Sequence, residues 1–392
     1  MPVVDGTAAD GFGPVVDAFA ENFRSRNELG AACTVYHEGE CVVDIWGGYR
    51  DTAGEQPWAE HTMAMAFSGT KGMAATATAV ALSRGLFALE DRIADHWPEF
   101  ARHGKETITV QQLLRHRSGL ATLDEPVTAA QLADHDELAE VLAAQKPDWG
   151  PGTRHGYHTF TLGWYTSELF RRTDGRTVGE FFADEVADPL DAEFHIGLPE
   201  SVPDERVAEL DPFGPVQLLR NAHRLSPRYL AALLNPRSLS NRAANCVAYD
   251  DPTDLTEPPL RSVEIPSANG IGTARGLAQV YDDLATGGDR LGIDEATYEE
   301  LTTVPTPPSG GDRDLVVRIR NEYDMGYSKP YGEFTFGSSD AAFGTPGFGG
   351  TFGFADPDAD LAFAYVPNRL GVHLVDDPRE VAVREAVYDC LQ

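Results

Sequence analysis

Lysine is nearly missing from this chain. Of its 31 basic residues only four are lysines, at positions 71, 105, 146 and 329, and the rest are arginines. Acidic residues number 62, which leaves a formal net charge of −31. The acids are spread along the chain rather than gathered in a tail. A surface of this sign repels polyanions, so neither nucleic acid nor an anionic membrane is expected as a partner. It also repels itself, and at 1 M salt the Debye length shrinks to about 3 Å. The composition therefore predicts a protein adapted to molar salt.

Other absences narrow the class further. There are four cysteines, Cys33, Cys41, Cys246 and Cys390, with no C-x-x-C and no Cys/His zinc spacing. Free thiols in a reducing cytoplasm are expected, and only Cys33 and Cys41 are near enough in sequence to bridge across a turn. No apolar run approaches the roughly 18–20 residues that cross a bilayer. The stretch from Met1 to Phe23 lacks a basic segment followed by an apolar one, so no signal peptide is expected. The eleven histidines include His155 and His158, three apart, but no His-Glu-x-x-His helix. No catalytic metal and no cofactor are expected.

What the chain does hold is enough apolar material for a large core: 42% hydrophobic residues, with 19 Phe, 13 Tyr and 5 Trp among 392. Helical periodicity runs over 12–27, with Val15, Phe19 and Phe23 on one stripe. Two alternating runs, 32–37 and 41–46, flank Glu38-Gly39-Glu40 and predict a hairpin. Residues 68–84 read as an Ala-rich helix closed by Gly85. Helical patches follow at 128–145, 160–172 and 227–234, and 235–260 reads as a long loop. A helix at 275–288, a hairpin over 351–355 and 361–366, and a helix at 377–390 complete the chain. The expected fold is α/β (α+β): a mostly antiparallel sheet flanked by helices and built from both chain ends, 1–65 and 265–392. A mostly helical domain, 66–264, is inserted between them. Trp46, Trp97 and Trp164 are expected in the core.

The chemistry centres on Ser68-Gly69-Thr70-Lys71. A serine and a lysine three apart share one face at the start of a helix, and so few lysines make the pairing rare by chance. Serine needs a group to take its proton, and a desolvated Lys71 can serve. Taken alone, the tetrapeptide reads more readily as a helix cap followed by a solvated lysine. Two later segments bear on it. A turn-rich stretch, 151–159, presents Tyr157, which reads as a proton shuttle or as a packed aromatic. The run 343–351 is glycine-rich and lets a strand edge approach a substrate closely. There the backbone N–H of Phe348, with that of Ser68, would form an oxyanion site. His116 reads as a residue that orders its loop.

With these residues in hand, the chain resembles the serine β-lactamase and penicillin-binding-protein superfamily, in the class C-like branch that includes the family VIII carboxylesterases. Ser68-Gly69-Thr70-Lys71 is similar to the family's nucleophile motif. Tyr157-His158-Thr159, starting 89 residues later, is similar to its Tyr-x-Asn motif. Thr345-Pro346-Gly347 stands where the family has Lys-Thr-Gly or His-x-Gly. Trp46-Gly47-Gly48, 96–100, 113–120 and Pro266 to Ala274 match as well. The resemblance implies Ser68, Lys71 and Tyr157 as catalytic residues. It implies Leu120, Thr159, Thr345 and Gly347 at the substrate. Thr159 and Thr345 depart from the family's Asn and cation, which argues against β-lactams and for a neutral ester or amide.

The leading expectation is therefore a carboxylesterase acting on short acyl esters through an acyl-enzyme. A β-lactamase, D-amino-acid peptidase or acyltransferase on the same machinery is the second. The third is a catalytically silent binding or regulatory homologue, motivated by those two threonines.

Overall fold

The computed structural model describes residues 3–214 and 226–392. Residues 215–225, inside the expected insertion, and 1–2 lie outside the described residues.

Eleven strands are described: β1 Val4–Ala8, β2 Gly30–His37, β3 Glu40–Gly48, β4 Ala64–Phe67, β5 Phe194–Ile196, β6 Gly270–Gly272, β7 Glu322–Asp324, β8 Tyr327–Lys329, β9 Phe343–Pro346, β10 Phe352–Asp356 and β11 Leu361–Pro367. Eight form one antiparallel sheet in the order β1-β3-β2-β11-β10-β9-β8-β7. The chain ends meet in its middle, where β2 pairs with β11 from Ala31 against Pro367 down to His37 against Leu361. The other three make a small sheet, β4-β6-β5. Its strand β4 crosses the expected boundary at 65/66, and β5 and β6 lie on opposite sides of the one at 264/265.

Helices cover both faces of the large sheet. On one side α1 (Gly13–Ser25) and the C-terminal helix Pro378–Cys390 pack together. Val15 and Phe19 of α1 and Val383 and Val387 of the other helix meet Val35, Ile45, Phe354 and Phe363 of the sheet. The helix Ala274–Ala285 covers the opposite face through Leu277 and Tyr281. Each aliphatic or aromatic side chain enclosed this way contributes about 1.5–3 kcal/mol. Strand alternation and helix stripes dictate these faces, as the sequence expects.

The helix α2 (Thr70–Ser83) runs through the interior, and Thr70 to Ala81 are all buried. Its Ala, Gly and Thr side chains make that possible. A Cβ on Gly72 would lie 2.1 Å from the Tyr281 hydroxyl. Thr76 and Thr78 satisfy their hydroxyls on the carbonyls of Gly72 and Ala74. Gly85, at φ +69°, follows the helix end as expected.

Several expectations need correction. The segment 128–145 is two helices, Ala129–Ala133 and His135–Ala144, because Asp134 leaves the helix and caps the second one with its side chain. The expected loop 235–260 contains a helix, Leu239–Ala244, started by the Ser238 side chain. It also contains a 3₁₀ turn, Pro252–Thr256. Strand β1 escaped notice because it is an edge strand with an exposed, mixed pattern. Cys33 and Cys41 are both free: the register sets Cys33 opposite Ile45 and Cys41 opposite Tyr36, so the two thiols are not cross-strand neighbours. Trp97 and Trp164 are buried, while Trp46 is half-buried against the core.

Candidate active site

Strand β4 ends at Phe67 and α2 begins at Thr70, so Ser68 occupies a sharp strand-to-helix turn. Phe67 has φ +45°, unusual for a bulky residue. The Thr70 hydroxyl holds this turn by donating to the Phe67 carbonyl and accepting the Gly270 N–H of β6 at 2.8 Å. The strain presents Ser68 at the wall of a cavity while the residues around it stay buried.

Lys71 lies below Ser68 and is 2% exposed. Its Nζ donates to the carbonyls of Thr159 at 2.7 Å and Ser267 at 2.8 Å. The Ser68 Oγ is its third polar neighbour, at 3.2 Å. A neutral amine has two N–H bonds, and the two carbonyls take both. Its lone pair is then left facing the Ser68 hydroxyl, the orientation a base needs. Burial favours that neutral form and pushes the Lys71 pKa well below the ordinary lysine value. The Ser267 carbonyl is itself positioned, because the Ser267 Oγ accepts the Gly163 N–H at 2.8 Å. Gly163 belongs to the helix Thr161–Thr173.

The half-buried Tyr157 covers Lys71, with Nζ 4.6 Å from the ring centroid. Burial pushes its phenol pKa up; contact with the Ser68 side chain opposes this and the charge of Asp314 adds to it. The phenol is therefore protonated across the neutral range. Its ring stacks on Tyr323 at 5.7 Å and lies 5.2 Å from the His116 ring. The Tyr323 hydroxyl donates to Asp314, whose carboxylate also accepts the N–H groups of Val316 and Val317.

His116 is fully buried at φ +54°. Its Nδ1 accepts the His158 N–H at 3.0 Å, which sets the strand of chain carrying Tyr157 and Thr159. His158 Nδ1 faces the Gly156 carbonyl and so bears the hydrogen, leaving Nε2 to accept from the Ser118 hydroxyl. Burial, the neighbouring His158 and Lys71 together push His116 well below its ordinary value. Burial chiefly holds His158 near a pKa of about 3. Both are uncharged, and both order the loop.

Phe348 follows β9 at the tip of a glycine-rich turn. The Phe67 and Phe348 rings meet edge-on at 5.5 Å, so the residue just before one expected oxyanion donor, Ser68, touches the other, Phe348. Neither the Ser68 nor the Phe348 amide donates to a backbone carbonyl among the described residues.

A cavity of about 430 Å³ opens on Ser68, Tyr157, Thr159 and Phe348. Further walls come from the helices Pro227–Leu233 and Leu239–Ala244, from 249–255, from 316–323 and from 372–375, among others. Every described residue lining it is uncharged, in a chain with 93 charged side chains.

Not every expected residue reaches this cavity. Thr159 lines it, and Gly347 supports the loop that carries Phe348. Thr345 does not line it: its side chain is 2% exposed, with Oγ1 3.2 Å from the position a Cβ on Gly72 would take. Leu120 does not line it either. It is fully buried, and its carbonyl accepts the Thr161 hydroxyl at 2.7 Å. Conversely Ser267, Tyr323 and Asp314 escaped sequence reasoning. Ser267 lies in the noted stretch 266–274, but nothing local marks its carbonyl as a partner for Lys71. Among the described residues no group of His, Cys, Asp or Glu is arranged to hold a metal ion, and no helix is long and apolar enough to cross a membrane.

This turn-borne serine with a buried lysine beneath it defines a class. The Beta-lactamase family profile matches residues 16–388, and the chain belongs to that family. It is a serine hydrolase. Among curated relatives it is 37% identical over 377 residues to the esterase/beta-lactamase LipL of Mycobacterium tuberculosis, a match covering 94% of this chain and 83% of LipL. Among solved structures it is similar to a family VIII carboxylesterase, at 37% identity and a TM-score of 0.82 over 99% of this chain and all of the other. A penicillin-binding-protein homologue from Caulobacter crescentus is 34% identical, with a TM-score of 0.83 and the same coverage.

Proposed function

We propose that the protein is a carboxylesterase for uncharged, apolar esters, acting through an acyl-enzyme on Ser68. One observation carries this reading: the cavity at Ser68 offers no charged side chain among its described residues. A penicillin, a cephalosporin or a peptide C-terminus carries a carboxylate, which binds poorly in an apolar site without a cation. A neutral ester meets no such cost. At about 430 Å³ the cavity falls in the range that encloses drug-sized ligands, so substrates are not held to short acyl chains.

Ser68 attacks the ester carbonyl and its proton passes to neutral Lys71. The N–H groups of Ser68 and Phe348 hold the oxyanion of the tetrahedral intermediate. The Tyr157 ring, 4.6 Å from Nζ, stabilises the transient ammonium. As the intermediate collapses, the Tyr157 phenol protonates the leaving alkoxide and is reprotonated from Lys71. Water then attacks the acyl-Ser68 ester by the reverse relay and frees the acid. The relay titrates as one coupled unit. The site residues follow as Ser68, Lys71 and Tyr157, with Thr159 at the substrate. The four unbridged thiols support a cytoplasmic setting.

The test is a side-by-side assay with p-nitrophenyl butyrate and a chromogenic cephalosporin, together with fluorophosphonate labelling. Ester turnover, weak cephalosporin turnover and labelling that disappears in Ser68→Ala are expected. Undiminished turnover in Ser68→Ala would sink the assigned nucleophile.

A further inference from the structure

The turn Gly347-Phe348-Gly349-Gly350 ought to be loose. Gly349 and Gly350 adopt φ +91° and +112°, and glycine retains more freedom than any other residue. One end is tied, since the Gly347 N–H donates to the Thr351 carbonyl at 2.7 Å. The tip is tied by a side chain from the far end of the sequence. Arg379, in the first turn of the C-terminal helix, places Nη2 2.6 Å from the Gly349 carbonyl. The Gly371 N–H meets the same carbonyl at 2.9 Å.

The guanidinium is held without slack. It has five N–H groups, and each has an acceptor. Nε donates to Asp377 Oδ1 at 2.8 Å. Nη1 donates to Glu28 Oε1 at 3.0 Å and to the Arg369 carbonyl at 2.7 Å. Nη2 donates to Asp377 Oδ2 at 3.0 Å besides Gly349. Arg379, Asp377 and Glu28 are all buried. Glu28 is fixed in turn by the Tyr365 hydroxyl, and Asn22 of α1 donates to the Arg379 carbonyl at 3.0 Å. The space is closed too: a Cβ on Gly350 would lie 2.7 Å from Arg379 Nη2.

We infer that Arg379 is a positioning residue for the acyl-transfer step, clamping the Gly349 peptide so that the neighbouring Phe348 N–H stays aimed at the oxyanion. The inference rests on the esterase reading above. It separates Arg379 from Arg384, a second buried arginine on the same helix, which pairs with Glu380 and Asp376 and makes no contact with the glycine turn. Lysine cannot replace Arg379, because three donors on a flexible stem cannot meet five fixed acceptors.

The experiment compares wild type, Arg379→Lys and Arg384→Lys. The measurements are p-nitrophenyl butyrate turnover, inhibition by phenylboronic acid as a tetrahedral mimic, and thermal unfolding. Loss of one oxyanion donor costs about 10²–10³ in kcat. In Arg379→Lys, kcat should fall by up to about that much, with KM little changed. Boronate affinity should fall in step with kcat/KM. Arg384→Lys should lose thermal stability but keep kcat and boronate affinity. Asp377→Asn serves if Arg379→Lys does not fold: it keeps the volume, replaces one Nη2 acceptor with a donor, and should give the same kcat loss. A folded Arg379→Lys or Asp377→Asn protein with wild-type kcat overturns the clamp. So does an equal loss of kcat in Arg384→Lys. A wild-type protein that neither cleaves the ester nor binds the boronate would bring down the esterase reading, and the clamp with it.

Discussion

A Cβ on Gly347 would lie 2.2 Å from the carbonyl oxygen of Ala66. Strand β9 therefore leads its turn directly against the end of β4, and only glycine permits that approach. Gly347→Ala is expected to part the two segments that carry the Ser68 and Phe348 amides. Overpacking of this kind costs about 1–3 kcal/mol. Turnover should fall more than stability suggests, by about 10²-fold in kcat for one misplaced donor. Thermal unfolding and ester kinetics on the same preparation check both.

The second prediction concerns pH. Burial places the Lys71 pKa well below the ordinary lysine value, and the neutral amine is the active form. The kcat/KM value should rise with pH through that lowered pKa and level off below the range where lysine usually titrates. No step from His116 or His158 is expected near pH 6.5, since both are held neutral. For stability the sign is the same. Between the folded and unfolded pKa of Lys71 the unfolded chain binds more protons. This contribution therefore grows as pH rises and is lost as pH falls through the window. A rate profile whose acid limb sits at an ordinary lysine pKa would contradict the assignment.

Restoring the family's cation by Thr345→Lys should not create a β-lactamase. The side chain at 345 faces Gly72 and the buried hydroxyl of Tyr281 rather than the cavity. The expected outcome is a lower unfolding temperature with no gain in cephalosporin turnover. A clear gain would show that the position does reach the substrate.

Three of the four lysines are enclosed. Lys71, Lys105 and Lys329 are 2%, 0% and 0% exposed, and each Nζ donates to two backbone carbonyls. Only Lys146 is exposed. Burial lowers Lys105 to about 8 and Lys329 to about 7, so both are reactive in principle and protected only by packing. Brief acylation of the native protein should modify Lys146 and the α-amino group alone, while unfolding should open all four. Peptide mass spectrometry reads the difference.

That distribution sharpens the salt prediction. Three of the four lysines are buried, so the surface cations are arginines but for Lys146, and the chain carries a net charge of −31. Surface ion pairs each contribute about 0–1 kcal/mol and weaken with salt, so screening of the net charge should dominate. Unfolding temperature should rise from dilute buffer to molar salt. Cooperative unfolding unchanged across that range would exclude a halophilic surface.

The helix and strand types and the order of the site segments were legible because they rest on local rules. Phe19 four residues after Val15 makes a stripe whatever surrounds it, and alternation over 32–37 makes a strand. Where local rules were overridden, the cause was also specific: Asp134 preferred capping to continuing a helix, and Ser238 began one where proline, asparagine and aspartate suggested a loop. The placement of Leu120 and Thr345 was not legible, since a motif fixes a position in the chain but not the direction of its side chain.

By itself the sequence determined that Ser68 and Lys71 lie within reach of each other, because a spacing of three at the mouth of a helix brings them together. It also determined that glycine would stand at 347. The tertiary structure decided what that pair can do. The carbonyls that orient Lys71 lie 88 and 196 residues away, and the residues that exclude water from it come from several separate segments. The cavity, uncharged among its described residues, and the Arg379 clamp are likewise assembled from distant parts of the chain. Desolvation and fixed donors depend on how those parts pack, and a lysine in water next to a serine is only a solvated cation.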